Sequence, residues 1–139
     1  MMFEKTGLDH IGIAVKDLKE TIQVYEALGL HCSGIEEVPT EKVRVAFFQV
    51  DQSSRVELLE PTSKESVIHQ YLEKKGPGIH HLCFRVLNLE ESMKELSKKG
   101  MRFIYESPRP GAHGCLVNFI HPKSTGGVLI ELSQKKHVD

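Results

Sequence analysis

The feature that most limits what this chain can fold into is that it repeats itself. Leu8-Asp9-His10-Ile11-Gly12-Ile13-Ala14-Val15 lies over Ile79-His80-His81-Leu82-Cys83-Phe84-Arg85-Val86 at an offset of 71 residues. The same offset carries Asp17 to Asn88, Leu18 to Leu89, Glu20 to Glu91 and Gly29 to Gly100. A period this long marks a duplicated folding module. Solenoid repeats are shorter, roughly 20 to 50 residues.

Each copy carries the same local signals. Both matched stretches are strand-like. Asp17 and Asn88 are N-cap residue types, with Glu20 and Glu91 at the N3 position of a capping box. Leu18, Ile22 and Tyr25 recur at helical spacing, as do Leu89, Met93 and Leu96. Gly29 and Gly100 are natural helix terminators. Strands are then expected at about 31–37, 43–50 and 55–60 in the first module, and at about 101–106, 115–121 and 127–133 in the second. Between the modules, Pro61 opens a connector in which Ser63 is expected to cap a helix containing Val67, Ile68, Tyr71 and Leu72. Gly76-Pro77-Gly78 ends it. The expectation is a single domain over residues 1–139: module one at about 7–60, a helical connector at 61–78, and module two at about 79–134.

Strand side chains alternate between faces. Ile11, Ile13 and Val15 share the face that suits packing on a helix, which puts His10 on the other face with Gly12 and Ala14. In the second copy Leu82, Phe84 and Val86 face the helix, and His81 shares the opposite face with Cys83 and Arg85. His80 falls on the wrong face. The closing strands show the same device with carboxylates: Val56-Glu57-Leu58-Leu59 parallels Ile130-Glu131-Leu132-Ser133 at an offset of 74. A lone Glu among apolar strand residues is costly to bury without a partner. A divalent metal beside paired histidines supplies one. Two imidazoles and two carboxylates suit Co, Ni, Mn, Fe or Zn. Four protein ligands on a six-coordinate ion leave two positions for substrate oxygens. Taken singly, a strand His or Glu is more often a surface or hydrogen-bonded structural residue. Recurrence at matched places is what singles out these four, and spacing alone does not prove that they meet.

Composition narrows the partners. Eighteen basic and nineteen acidic residues give a net charge of −1, so no strong field favours nucleic acid or a membrane surface. No apolar run approaches the roughly 20 residues needed to span a bilayer. The opening MMFEKTGLDH does not read as a signal peptide. Cys32, Cys83 and Cys115 are odd in number and lack CxxC spacing, which suggests reduced thiols and a cytoplasmic location.

The stretches LDHIGIAVKDL, VELLEP, KKGPGIHHL, PRPGAHG and HPKSTGGVLIEL resemble the glyoxalase, or vicinal-oxygen-chelate, superfamily over about residues 7–134. The combination of EKKGPGIHHL with GAHG and HPKSTGGVLIEL is most similar to the methylmalonyl-CoA epimerase family within it. The resemblance implies an α+β fold in which two tandem βαβββ modules form a cupped mixed sheet around a metal site. It implies metal ligands at His10, His81 and Glu131, with the fourth at Glu57, where some epimerases have Gln and glyoxalase I has Glu. Cobalt is among the metals expected, and a homodimer is the expected assembly.

The activity implied is interconversion of (2R)- and (2S)-methylmalonyl-CoA through a metal-stabilised enolate, with an acyl-CoA as small-molecule partner. Glu131 is the first candidate proton carrier and Glu57 the second. Some epimerases carry a Glu proposed for proton transfer in the strand matching VRVAFF. Val45 stands there in this chain and excludes that assignment. His113 in the GAHG loop, and Lys123 and Ser124 in HPKST, are candidate substrate contacts, though a loop His and an ordinary turn are the plainer readings. The alternatives are glyoxalase I (lactoylglutathione lyase), favoured only by Glu57, and a metal-free binding module of the same fold, disfavoured by the full ligand set.

Overall fold

The computed structural model describes residues 3–136. Eleven regular elements occur in the order β1 (Phe3–Ala14), α1 (Leu18–Ala27), β2 (Cys32–Val38), β3 (Val43–Gln49), β4 (Arg55–Pro61), α2 (Val67–Lys75), β5 (Gly78–Val86), α3 (Leu89–Lys98), β6 (Arg109–Pro110), β7 (Leu116–Ile120) and β8 (Ile130–Gln134). The strands form one mixed eight-stranded sheet. No helix among the described residues is long and apolar enough to cross a membrane. The chain divides into two compact units. One runs from His10 to His80; the other joins the residues up to Asp9 to those from His81 onward.

In the His10–His80 unit, β1 pairs in parallel with β4, β4 is antiparallel to β3, and β3 is antiparallel to β2. The core is Val15, Leu18, Ala46, Phe48 and Leu58, with Ile13, Ile22, Tyr25 and Val56 packed against it. These are the apolar faces that strand and helix periodicity select. The helix α1 starts where Asp17 accepts a hydrogen bond from the Glu20 N–H at 3.0 Å. It ends at Gly29, whose φ of 96° favours glycine. The connector helix α2 packs on β4 and buries Ile68. Its cap is Ser66, not the expected Ser63. The Ser66 hydroxyl accepts from the Ile68 N–H and donates to the Glu41 carbonyl, so this cap is buried and bonded on both sides. Ser63 instead closes the turn before the helix, accepting from the Glu65 N–H.

The other unit repeats this plan. β5 is parallel to β8, β8 antiparallel to β7, and β7 antiparallel to β6. Val86, Leu89, Leu96, Ile120 and Leu132 form its core, with Phe84 and Met93 beside them. Asn88 caps α3 by accepting from the Glu91 N–H at 3.0 Å. Gly100 ends it at φ 91°. Even the hydroxyls correspond: Thr21 donates to the Asp17 carbonyl and Ser92 to the Asn88 carbonyl, both at 2.8 Å.

The expected strand at 101–106 does not form as a regular element. The segment touches β7 through the isolated Phe103–Ile120 bridge. Beyond it, the fully buried Asn118 side chain replaces the ladder. Its amide oxygen accepts from the Tyr105 N–H and its amide nitrogen donates to the Tyr105 carbonyl. A side chain that takes both backbone groups of one residue ends strand pairing there.

Candidate metal centre

In the His10–His80 unit the parallel register sets His10 of β1 opposite Arg55 of β4, and Gly12 opposite Glu57. Alternation puts Arg55 and Glu57 on one face of β4. His10 Nδ1 lies 3.2 Å from Glu57 Oε2, and Arg55 Nη2 donates to the same oxygen at 2.9 Å. His10 and Glu57 are both buried. Across the antiparallel pair, Phe47 of β3 stands opposite Glu57, and Val45, also buried, stands opposite Leu59.

In the other unit, Cys83 of β5 is in register with Glu131 of β8. His81, two residues earlier on the same face as Cys83, brings Nε2 to 3.0 Å from Glu131 Oε1. Both residues are buried. Phe119 of β7 stands opposite Glu131 and presents its ring edge-on to His81, with centroids 5.7 Å apart and planes at 90°. Farther along β5, Arg85 donates to Asp9 at 3.2 Å, and both members of this ion pair are buried.

Each unit therefore holds one imidazole nitrogen about 3 Å from one carboxylate oxygen, out of water. The fit to a metal can be tested on that distance. With metal–nitrogen and metal–oxygen bonds of about 2.0–2.2 Å, two adjacent ligands on an octahedral or tetrahedral ion lie on the order of 3–3.5 Å apart. Both pairs meet that spacing. Their nitrogen and oxygen donors suit a borderline divalent ion. Burial of two carboxylates is costly unless positive charge offsets it. The two pairs are not mirror copies: the first turns Nδ1 to its carboxylate, the second Nε2.

The remaining expected contacts lie on turns of the second unit. His113 sits exposed in the one-turn 3₁₀ helix Ala112–Gly114, in a left-handed conformation at φ 57°. Gly111 precedes it because no side chain fits: a Cβ there would come 2.8 Å from Val117 Cγ1. Lys123 and Ser124 form a second 3₁₀ turn with Pro122, capped where His121 Nδ1 accepts from the Lys123 N–H. The Lys123 side chain is exposed. Ser124 Oγ accepts from the Arg102 N–H at 3.0 Å, which gives that hydroxyl a structural duty. Arg55 was not singled out by sequence reasoning. Its one signal is position, two residues before Glu57 on the same strand face.

The chain matches the Glyoxalase/Bleomycin resistance protein/Dioxygenase superfamily over residues 9–119. It is 45% identical over 130 residues to the uncharacterized protein YqjC of Bacillus subtilis, covering 93% of this chain and 92% of that one. It is 40% identical over 129 residues to the mitochondrial methylmalonyl-CoA epimerase of Homo sapiens, covering 91% and 73%. A solved methylmalonyl-CoA epimerase in complex with methylmalonyl-CoA and NH4+ superposes with a TM-score of 0.92 at 33% identity, covering 100% of this chain and 99% of that one. On the repeated fold and these matches, the chain belongs to the glyoxalase/bleomycin resistance protein/dioxygenase superfamily.

Proposed function

We propose that this chain is a methylmalonyl-CoA epimerase, a metal-dependent racemase of the acyl-CoA class. Its single divalent ion (Co, Ni, Mn, Fe or Zn) would be held by His10, Glu57, His81 and Glu131. The observation that carries the reading is the buried imidazole–carboxylate pair found once in each repeat, on equivalent strands. The names of the relatives and the substrate-bound neighbour favour epimerisation over the lyase chemistry of glyoxalase I.

The carbon acid of methylmalonyl-CoA lies between a carboxylate and a thioester carbonyl. Its proton must leave one face and return to the other, through an enolate. A bound divalent ion supplies positive charge where negative charge develops on oxygen. The chain's own residues move the proton. Glu131 removes and returns it on one face; its Oε1 lies 3.0 Å from His81 Nε2. Glu57, in the equivalent place of the other repeat, serves the opposite face. Val45 leaves β3 with an apolar side chain where some relatives carry an acid, so the two site carboxylates take both duties. Phe47 and Phe119 stand opposite the two carboxylates in the strand register, and both carboxylates are buried. His113 and Lys123, both exposed, contact the substrate's polar groups in this proposal. A homodimer in the cytoplasm completes the proposal; its assembly is measured by light scattering.

The test follows turnover of (2R)-methylmalonyl-CoA by chiral analysis, with solvent deuterium entering C2. Cobalt-loaded protein is expected to yield the (2S) form, and exhaustive chelation to stop it. Absence of epimerisation by the loaded protein would overturn the function. Undiminished turnover after metal removal would overturn the ligand set.

A further inference from the structure

We propose that Arg109, held over the ring of Tyr105 on the edge strand of the sheet, is a specificity-determining residue that binds a phosphate group of an acyl-CoA. The acyl-CoA part rests on the epimerase reading. The anion site itself stands on residues of the unit that runs from His81 onward.

The sheet ends at β6, where Arg109 is in register with Val117 of β7. Cross-strand partners share a face. Val117 is likewise opposite Ser133 of β8, two residues beyond Glu131. Arg109 therefore stands on the face of the sheet that carries Glu131, at its outer edge. With strands about 4.8 Å apart, the β6 backbone lies roughly 10 Å to the side of β8. A row of rings spans that interval. Phe119 meets His81 edge-on. Tyr105 follows, its centroid 6.3 Å from that of Phe119 and the planes at 75°. Arg109 Cζ then lies 3.8 Å over the Tyr105 ring. The buried Asn118 fixes this platform by taking both backbone groups of Tyr105.

The Arg109 guanidinium is used differently from others in the chain. Arg44, Arg55 and Arg85 each donate to a carboxylate. Arg109 is exposed, and among the described residues no carboxylate forms an ion pair with it. Stacking engages the face of a guanidinium and leaves the N–H groups in its plane to donate elsewhere. Those groups form the fork that matches a phosphate or a carboxylate. Position chooses between the two anions. An acyl-CoA carries its reacting carbon and any acyl carboxylate at one end, and its phosphates beyond the pantetheine arm. A cation at the sheet edge, two rings away from His81, suits the far end. The device favours a CoA thioester over the same acyl group on a shorter thiol without phosphate.

Calorimetric titration with acetyl-CoA and with S-acetylpantetheine tests this without turnover. Their acyl groups carry no charge, so a dependence on Arg109 seen only with acetyl-CoA is owed to phosphate. Arg109→Gln is expected to weaken acetyl-CoA binding about tenfold, the low end for a charge-assisted hydrogen bond. S-acetylpantetheine binding is expected to stay unchanged. Arg109→Lys is expected to recover part of the loss, because it keeps charge without the fork. Tyr105→Leu, which removes the platform and keeps the charge, is expected to lose about threefold, the weight of an exposed cation–π contact. Acetyl-dephospho-CoA tells the two phosphate sources apart: the Arg109 effect persists there if the diphosphate is bound and vanishes if the ribose phosphate is. Acetyl-CoA affinity within twofold of wild type in Arg109→Gln would overturn the proposal and leave the acyl-CoA reading standing. An equal loss with S-acetylpantetheine would overturn it too. Failure of the wild-type protein to bind acetyl-CoA would sink the acyl-CoA reading, and this proposal with it.

Discussion

At Glu131 a carboxylate and an amide of the same size separate catalysis from folding. Glu131→Gln keeps volume and one accepting oxygen but cannot take a proton from carbon. Turnover is expected to fall by at least about 100-fold, the low end for a general acid–base group. Measured without metal, the melting temperature should hold or rise, because the change removes a buried charge beside His81. Near-wild-type turnover in a folded variant would remove Glu131 from the chemistry. Gly111 makes a claim about stability instead. A Cβ there meets Val117 Cγ1 at 2.8 Å, and Val117 is buried and stiff about χ1. Gly111→Ala is expected to cost about 1–3 kcal/mol of unfolding free energy, the range for overpacking, read by urea denaturation. No measurable loss would show that β7 yields freely. Single residues also mark where sequence reading stops. His10, Glu57, His81 and Glu131 stood out because lone polar residues interrupt apolar strands at matched places. The pairs His10–Glu57 and His81–Glu131 then form within single units. Arg55 gave no such signal, because an Arg at a strand start reads as surface. The buried Asp9–Arg85 pair joins residues 76 apart, and local pattern carries no information at that range.

Among the elements, the repeat extends to a tie that periodicity does not reveal. The first N–H of α1, at Leu18, donates to Glu60 Oε2, and the first N–H of α3, at Leu89, donates to Gln134 Oε1, each at 2.8 Å. Each acceptor lies three residues beyond the site carboxylate of its strand. Helix start and ligand strand are thus clamped together in both repeats, and the clamp also satisfies an orphan helix donor. The two copies differ in charge. Glu60 also receives Arg44, which bridges to Glu37 at 3.0 Å. Glu60→Ala and Gln134→Ala are each expected to lower stability by about 0.5–2 kcal/mol, as for loss of a helix cap. Glu60→Ala should lose the more, because the negative end facing the helix start and the Arg44 partner go together. The order of the two denaturation midpoints checks this, and the reverse order would deny Arg44 a share. Element existence was legible wherever period and caps agreed, as in α1 and α3. It failed at 101–106, where the Asn118 side chain takes backbone bonds that a strand would have made. It slipped by three residues at α2, where Ser63 and Ser66 have equal propensity and only burial against Glu41 chooses between them.

Across the whole molecule, the chain divides into two compact units, each with its own core and its own imidazole–carboxylate pair, where the repeat predicted a single domain with the four residues in one pocket. Whether the pairs act together is a question of how many ions they hold. One shared ion and two separate ions differ in how stabilisation by metal responds to mutation. A ligand that binds only the folded chain stabilises it by about 2.7 kcal/mol when present at 100 times its dissociation constant. If the four residues share one ion, Glu57→Gln or Glu131→Gln alone weakens the only site, and either variant should lose most of the cobalt-dependent rise in melting temperature. The double variant should then lose scarcely more than the worse single one, since residues acting on one ligand are not additive. If each pair held its own ion, the single variants would each keep roughly half of the rise, and the double variant would lose the sum. Melting curves of the four proteins with and without cobalt, beside their bound-metal stoichiometry, decide between the schemes. Additive losses with two cobalt ions per chain would break the shared centre, and the epimerase mechanism built on it would go as well.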